Sequence, residues 1–122
     1  MSLTPAFVDL DSERVLLGCV LLNNEAYQSA GKIRSLDFSD RRHRLMWDAI
    51  VELLGRGEVV DVITVNAALK VRGDEVDINY LDDVCRGIPR VSNVSEWAKL
   101  ILQASLRRQV ARAAQDLAQA AG

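Results

Sequence analysis

The sequence predicts an all-α protein with a compact helical head and one long C-terminal helix. Apolar residues recur at three- and four-residue steps through most of the 122 residues, which is typical of helix faces. Residues 94–121 contain neither proline nor glycine and allow about 40 Å of helix at 1.5 Å per residue. The valine-rich residues 58–65 are the nearest candidate for a strand. Apolar spacing after Asp61 instead favours an extended segment that leads into a helix.

The first predicted helix lies in the run DSERVLLGCVLLNN, residues 11–24. Ser12 is its candidate N-cap, and Asn23-Asn24 supplies the stop. Gly18 in mid-helix costs about 1 kcal/mol relative to alanine, so it predicts a place where another helix packs closely. Leu-Leu-Gly-Cys at 16–19 resembles a lipoprotein cleavage box. Acidic residues precede it, and the apolar stretch is too short for a signal peptide or a membrane span, so we expect no membrane anchor.

Shorter elements complete the predicted head. Residues 24–33 are expected to form a short helix that ends near Gly31, and residues 35–40 a turn with Leu36 and Phe38 inward. A long helix capped by Ser39 or Asp40 follows, and its predicted buried stripe is Met46, Trp47, Ile50, Leu53 and Leu54. The next helix is expected to be capped by Asp61 and to end at Gly73. The last element of the head, residues 78–88, is expected to bury Ile78, Leu81, Val84 and Cys85 before Pro89 breaks it.

The long C-terminal helix carries two apolar patterns. Its first part has a packing face formed by Val94, Trp97, Ala98 and Ile101, with Asn93 as the candidate N-cap. Its second part has a heptad seam with steps of four and three residues. The seam consists of Leu106, Val110, Ala113, Leu117 and Ala120. We predict that these five residues form a protein interface, because such a seam needs a partner helix from another chain or from sequence beyond Gly122. The predicted units are therefore a head of residues 1–92 and a long helix of residues 93–122.

Composition and motifs predict no catalytic, metal or cofactor site in this chain. The net charge of −2 argues against a dominant phosphate-binding surface, although two arginine groups, 41/42/44 and 107/108/112, leave a local patch open. His43, the single histidine, is expected to be half-exposed and structural, with a functional role as the alternative. No residues have metal-ligand spacing, and AGKI at 30–33 lacks the pattern of a phosphate loop. We expect no catalytic residue, metal or cofactor, and we expect Cys19 and Cys85 to be reduced core residues of a cytosolic protein.

Five blocks in order resemble the N-terminal domain of DnaB-type bacterial replicative DNA helicases. The blocks are DSERVLLGCVLLNN, DFSDRRHRLMWDAI, RGEVVDVITV, YLDDV and GIPRVSNVSEWAKLI, and the similarity covers roughly residues 5–120. The resemblance rests on four sequence features taken together. They are the acid-x-Glu-Arg start, a His-Arg pair followed by aromatic-x-Ala-Ile, the pattern Gly-x-x-x-Asp-x-x-Thr, and a proline and an asparagine before the long helix. The family usually has serine or threonine where this chain has Arg90, so Ser92 is an alternative cap.

The resemblance implies an all-helical head followed by a helical hairpin, of which this chain carries the first helix. Family members use these domains to pair subunits and to build the collar of a hexameric ring, which recruits primase and, in some systems, a helicase loader. ATP and magnesium belong to a separate RecA-type motor. This domain is therefore expected to be non-enzymatic and cytoplasmic and to contact DNA only indirectly.

Three alternatives stay open at this point. The chain is either a fragment of a longer helicase or a naturally short relative. It is also compatible with the helicase-binding domain of a primase, which shares this helical architecture. A helical module that binds nucleic acid through its arginine faces is the third alternative, and a salt-dependent affinity for single-stranded DNA would favour it.

Overall fold

A computed structural model describes residues 9–88 and 93–121, and within these ranges it contains six α-helices and no strand. The helices are α1 (Leu10–Leu22), α2 (Ala26–Ser29), α3 (Arg41–Gly55), α4 (Val62–Arg72), α5 (Ile78–Cys85) and α6 (Val94–Ala121), and a single 3₁₀ turn (Ser35–Asp37) lies between α2 and α3. The all-α fold class is confirmed.

Aspartates start most helices of the head. Asp40 caps α3 and accepts a hydrogen bond from the backbone N–H of Arg42, and Asp61 caps α4 as predicted. The prediction for α1 was wrong. Asp9, not Ser12, accepts the capping hydrogen bond, so α1 begins at Leu10 and Ser12 is buried inside it. The predicted stop at Asn23 is confirmed. Gly73 ends α4 with a φ of +78°, a conformation that glycine adopts without steric cost.

Helix α1 lies at the centre of the head. It packs against α2, α3, α5 and the first part of α6, which explains why its run VLLGCVLL is apolar on nearly all sides. Leu16, Leu17 and Val20 are completely buried, and Cys19 faces the interior as predicted. A Cβ built on Gly18 would overlap the Ile88 side chain and the carbonyl oxygen of Val84. The predicted close approach at Gly18 is confirmed, and the partner is the C-terminal end of α5 with the residues that follow it.

Some details of the head differ from the prediction. Leu36 is 52% exposed, because the 3₁₀ turn directs it outward while Phe38, just after the turn, is buried. Helix α5 ends at Cys85, which is only half-buried rather than buried as predicted. Ile78 at its start is exposed, whereas Leu81 and Val84 are buried. In the stripe of α3, Leu54 is only half-buried, whereas its other four members are buried. Pro89, Arg90 and Ser92 lie outside the described residues.

Helix α6 divides into two halves with different surroundings. Its anchored half, residues 94–105, buries Val94, Ala98, Ile101, Ala104 and Ser105 against the head. In its outer half, residues 106–121, every residue is exposed or half-exposed. The boundary between two units near residue 92 stays a prediction. The anchored half shares one hydrophobic core with the head.

Candidate functional site

The five predicted interface residues lie along the outer half of α6, on the solvent side of the chain. Leu106 and Val110 are each 60% exposed and Leu117 is 72% exposed. Ala113 and Ala120 are also exposed. The structure therefore brings all five onto one helix, at steps that place them along one stripe. Three large apolar side chains in a row on a solvent-exposed stretch of helix are typical of an interaction surface.

A group of polar contacts, here called the polar clasp, holds α6 where it leaves the head. Its members are Asp37, Ser105, Arg108 and Gln109. The Ser105 hydroxyl donates a hydrogen bond of 2.7 Å to the buried carboxylate of Asp37, and Gln109 donates one to Ser105 at 3.0 Å. The Arg108 guanidinium donates to the carbonyl oxygen of Asp37 at 2.7 Å. Burial lowers the pKa of Arg108, while Glu13 and Asp37 oppose this. These contacts set the direction in which the outer half extends.

A buried hydrogen-bonded chain joins α1, α3 and α5 beneath the clasp. Glu13 Oε1 lies 2.7 Å from His43 Nδ1, and His43 Nε2 lies 2.6 Å from the Tyr80 hydroxyl. The other oxygen of Glu13 accepts hydrogen bonds from the backbone N–H and the hydroxyl of Ser39 at 3.0 and 2.7 Å. Burial raises the pKa of Glu13, but the hydrogen bonds from His43 and Ser39 outweigh it, so the pKa falls below 4.5.

His43 is buried rather than half-exposed, so that part of the prediction was wrong. Both of its ring nitrogens have partners, and its side chain is only 1% exposed. A carboxylate only accepts hydrogen bonds, so Nδ1 donates to Glu13, and Nε2 is paired with the Tyr80 hydroxyl. A histidine held in this way has no access to a substrate proton. Its role in this geometry is to tie three helices together.

The two arginine groups lie close to each other in space. Arg44 donates hydrogen bonds to the carbonyl oxygens of Phe38 and Ser39. The carbonyl oxygen of the preceding residue, Asp37, accepts a hydrogen bond from Arg108. Arg42 pairs with Asp40 and lies 3.7 Å above the centre of the Tyr80 ring. The pair holds the pKa of Asp40 at about 2, because the hydrogen bond from Arg42 stabilises the carboxylate. Three of the six arginines therefore have structural contacts. Arg41, Arg107 and Arg112 are exposed.

Residues 9–88 and 93–121 contain no group of three or more histidine, cysteine or acidic side chains placed to hold a metal ion. Within the same ranges, no helix has both the length and the apolar character that crossing a membrane requires. Cys19 and Cys85 are both free thiols, and burial raises the pKa of Cys85.

A family model for the DnaB-like helicase N-terminal domain matches residues 6–103. The replicative DNA helicase DnaC of Bacillus subtilis is 30% identical over 115 residues, which is 91% of this chain and 25% of that protein. The replicative DNA helicase DnaB of Mycobacterium leprae is 34% identical over 109 residues, 86% of this chain and 18% of that protein. This chain thus spans a quarter or less of these two relatives.

A solved structure of the same kind of domain is also similar to this chain. The crystal structure of the N-terminal domain of DnaB helicase from Mycobacterium tuberculosis matches with a TM-score of 0.87 and 31% identity, over 92% of this chain and 83% of that one. The family model ends at residue 103, so the predicted interface residues lie beyond it.

Proposed function

The chain belongs to the DnaB-like helicase N-terminal domain family, and we propose that it serves a replicative DNA helicase as a non-catalytic interaction and self-association domain. The observation that carries this proposal is the exposed seam on the outer half of α6. Leu106, Val110 and Leu117 leave a contiguous apolar stripe in water, and burying it is favourable by about 25 cal/mol per Å². An isolated helix of this length is marginal in water, so a partner that covers the seam would also stabilise the helix.

In a full-length helicase, we propose that this pairing contributes to the N-terminal collar of a hexamer. We further propose that the collar recruits primase and, in some systems, a helicase loader, and that the domain acts in the cytoplasm and meets DNA only indirectly. The resemblance to the family supports these finer proposals. We also propose that ATP and magnesium act in the motor domain of a full-length helicase and that the domain described here needs neither.

The self-association proposal is tested by sedimentation of the wild-type chain and of a variant with Val110→Asp and Leu117→Asp. Burying two unpaired carboxylates costs several kcal/mol, so the variant is expected to be monomeric at concentrations where the wild type is dimeric. The control carries Gln115→Asp and Gln119→Asp, which add the same charge to the same helix on a different side from the seam. The control is expected to dimerise. Monomeric wild type with a fully helical tail would contradict the proposal.

The non-catalytic proposal has a direct test. The purified chain is expected to hydrolyse no ATP above the background of a buffer control, because its single histidine is enclosed and fully hydrogen-bonded. Stoichiometric turnover that co-purifies with the chain through two chromatographic steps would overturn it. Primase recruitment is tested by titrating the chain with a primase helicase-binding domain and measuring the heat of binding.

Of the alternatives, the helicase-binding domain of a primase is disfavoured, because the family match is to helicases. A nucleic-acid-binding role would rest on the exposed Arg41, Arg107 and Arg112. It would appear as affinity for single-stranded DNA that falls steeply with salt.

A further inference from the structure

Four arginines meet around the 3₁₀ turn where α6 packs against the head. This arginine cluster consists of Arg34, Arg44, Arg108 and Arg112. Arg34 Nη2 lies 3.6 Å from the carboxylate of Asp37, and Arg108 donates to the backbone carbonyl oxygen of the same residue. Arg44 Nη1 donates to the next two carbonyl oxygens, those of Phe38 and Ser39, at 3.0 Å each. Guanidinium groups from three parts of the chain thus contact one short segment of backbone.

Arg112 extends the cluster along α6 beyond the head. Ile101, Ser105, Arg108 and Arg112 follow one another at steps of four, three and four residues, so they lie on one side of α6. The first two are buried against the head, whereas Arg112 is exposed. Arg112 is two residues from Val110, which at about 100° per residue places their side chains on nearly opposite sides of the helix. A partner that covers the seam therefore leaves Arg112 accessible.

The cluster carries more positive charge than the acids beneath it balance. Burial lowers the pKa of Arg108, and the charges of Glu13 and Asp37 oppose this effect. The charges of Arg44 and Arg112 lower the pKa further, so both lie close enough to Arg108 to repel it. Glu13 and Asp37 are each only 1% exposed. Four guanidinium groups therefore surround two carboxylates that a ligand does not reach.

The outer arginines have donors available for a ligand. Within residues 9–88 and 93–121, Nε and Nη2 of Arg44 have no hydrogen-bond partner. In the same ranges Arg112 forms no ion pair, not even with Asp116 one turn further along α6. The edge of a guanidinium group matches a carboxylate, because two parallel N–H···O bonds form between them. An incoming carboxylate can take these donors without breaking a contact of the folded chain.

The surroundings of the cluster favour an acidic protein segment over nucleic acid. Single-stranded nucleic acid is usually bound on aromatic side chains against which its bases stack, and none of the five aromatic side chains in the described ranges is exposed. The net charge of −2 also works against a long polyphosphate. Leu36 lies on the same 3₁₀ turn and is 52% exposed, so it offers an apolar contact that suits a side chain of a peptide.

We propose that the arginine cluster binds an acidic segment of a partner protein, with carboxylates on Arg44 and Arg112 and an apolar side chain on Leu36. This inference goes beyond the proposed self-association, because it concerns another side of α6 and another kind of partner. Arg108 belongs to both the arginine cluster and the polar clasp. The bound carboxylates therefore also reduce the repulsion at the point where α6 leaves the head.

Binding is measured by fluorescence anisotropy of a labelled glutamate-rich peptide with a central leucine, titrated with the wild-type chain at physiological salt. Arg112→Glu is the most direct variant, because the folded chain loses no described hydrogen bond or ion pair with it. Its dissociation constant is expected to rise roughly 2- to 25-fold, since an exposed ion pair contributes a factor of about 1.4–5 and the reversal turns attraction into repulsion. Absence of peptide binding by the wild type would overturn the proposal.

The matched control is Arg107→Glu, which makes the same change of charge at an exposed position on a different side of α6. Its dissociation constant is expected to rise less than about 1.5-fold, because salt screens charges that are not in contact with the peptide. Equal losses of affinity in Arg107→Glu and Arg112→Glu would show that only the net charge of the chain matters. That result would overturn the assigned site.

The apolar contact has a test of its own. Leu36→Ala is expected to weaken binding of the peptide with the central leucine and to leave binding of an all-glutamate peptide unchanged. Circular dichroism of the variant checks that its helix content matches that of the wild type. Equal weakening for both peptides, or none for either, would remove Leu36 from the site and overturn that part of the proposal.

Two competitors separate the proposed partner from other anions. Inorganic phosphate is expected to displace the peptide only at far higher concentrations than the unlabelled peptide does, because it lacks the apolar contact and spans fewer arginines. Single-stranded oligothymidylate is expected to compete poorly for the same reason. If oligothymidylate binds more tightly than the peptide and Arg112→Glu weakens it, the cluster is a nucleic-acid site and the proposal is wrong.

These outcomes are distinguishable from those of the proposed function. Arg112→Glu is expected to sediment as the wild type does, because Arg112 lies away from the seam. If the wild type dimerises but does not bind the peptide, self-association stands and this inference fails. If the wild type is monomeric with a helical tail and binds the peptide through Arg112, this inference stands and self-association fails.

Discussion

The two halves of α6 share one helix and similar apolar spacing but have opposite surroundings. In the anchored half, Ile101 is 1% exposed and is enclosed by the head. In the outer half, Leu117 is 72% exposed and meets solvent. The difference teaches that the spacing of apolar residues identifies the face of a helix that is suited to packing. It does not identify the part of the protein, or the other protein, against which that face packs. The head provides that cover for residues 94–105, and we propose that a second chain provides it for residues 106–121.

The change expected to have the largest effect removes the polar centre of the head. Glu13→Ala leaves a ring N–H of His43 and two donors of Ser39 without their acceptor. Each buried donor left without a partner costs about 1–3 kcal/mol, so we expect the unfolding free energy to fall by about 3–5 kcal/mol in all. Urea denaturation of the monomeric chain measures it. Glu75→Ala, at an exposed position, is the control and is expected to change stability by less than about 0.5 kcal/mol. A loss below about 1 kcal/mol in Glu13→Ala would show that the network is not needed for the head.

The two halves of α6 are expected to respond differently when a large apolar side chain is removed. Ile101→Ala is expected to lower the unfolding free energy by about 2–4 kcal/mol through lost burial and a cavity. Leu117→Ala is expected to change it by less than about 0.5 kcal/mol in the monomer, because its side chain is already in water. The same Leu117→Ala change is expected to weaken dimerisation. Equal losses of monomer stability in the two variants would remove the distinction between the halves.

Gly18 tests how tightly the head is packed. Gly18→Ala adds a Cβ that meets the carbonyl oxygen of Val84, which is backbone and moves only with α5. Despite the higher helix propensity of alanine, we expect a loss of about 1–3 kcal/mol, and Gly18→Leu is expected to lose at least as much. Gly55→Ala, also at a helical glycine but in open space, is expected to be neutral or stabilising. A Gly18→Ala melting temperature at or above wild type would contradict this packing.

The smallest expected effect is the response of the head to mild acid. The pKa of Glu13 is below 4.5 in the folded chain, so its stabilisation is full well above pH 4.5 and is lost as the pH falls through the folded value. Between pH 7 and 4.5 we expect this group to cost less than about 1 kcal/mol, with a steeper decline below pH 4.5. In Glu13→Gln, the contribution of this group to the slope is expected to vanish. An unchanged slope would assign the acid response to other groups.

Local signals in the sequence predicted most of the helices. Asp40, Asp61 and Gly73 act within three or four residues, and the apolar run of α1 indicated a fully enclosed helix. The chain from Glu13 through His43 to Tyr80 was not predicted, because its members are 30 and 37 positions apart and each looks like an ordinary polar residue of its own helix. The clasp between Asp37 and Ser105 spans 68 positions and was missed for the same reason. The structure places the predicted seam residues on the exposed outer half of α6. Their role as a protein interface stays a prediction, because a helical pattern alone does not identify what covers a face.

Amide hydrogen exchange along α6, followed as a function of protein concentration, tests the central claim most directly. We predict that residues of the anchored half are protected at every concentration, because the head covers them. We predict that residues 106–121 exchange rapidly in dilute samples and become protected over the same concentration range in which the chain sediments as a dimer. Protection of residues 106–121 that is independent of concentration, in a chain that sediments as a monomer, would contradict the account.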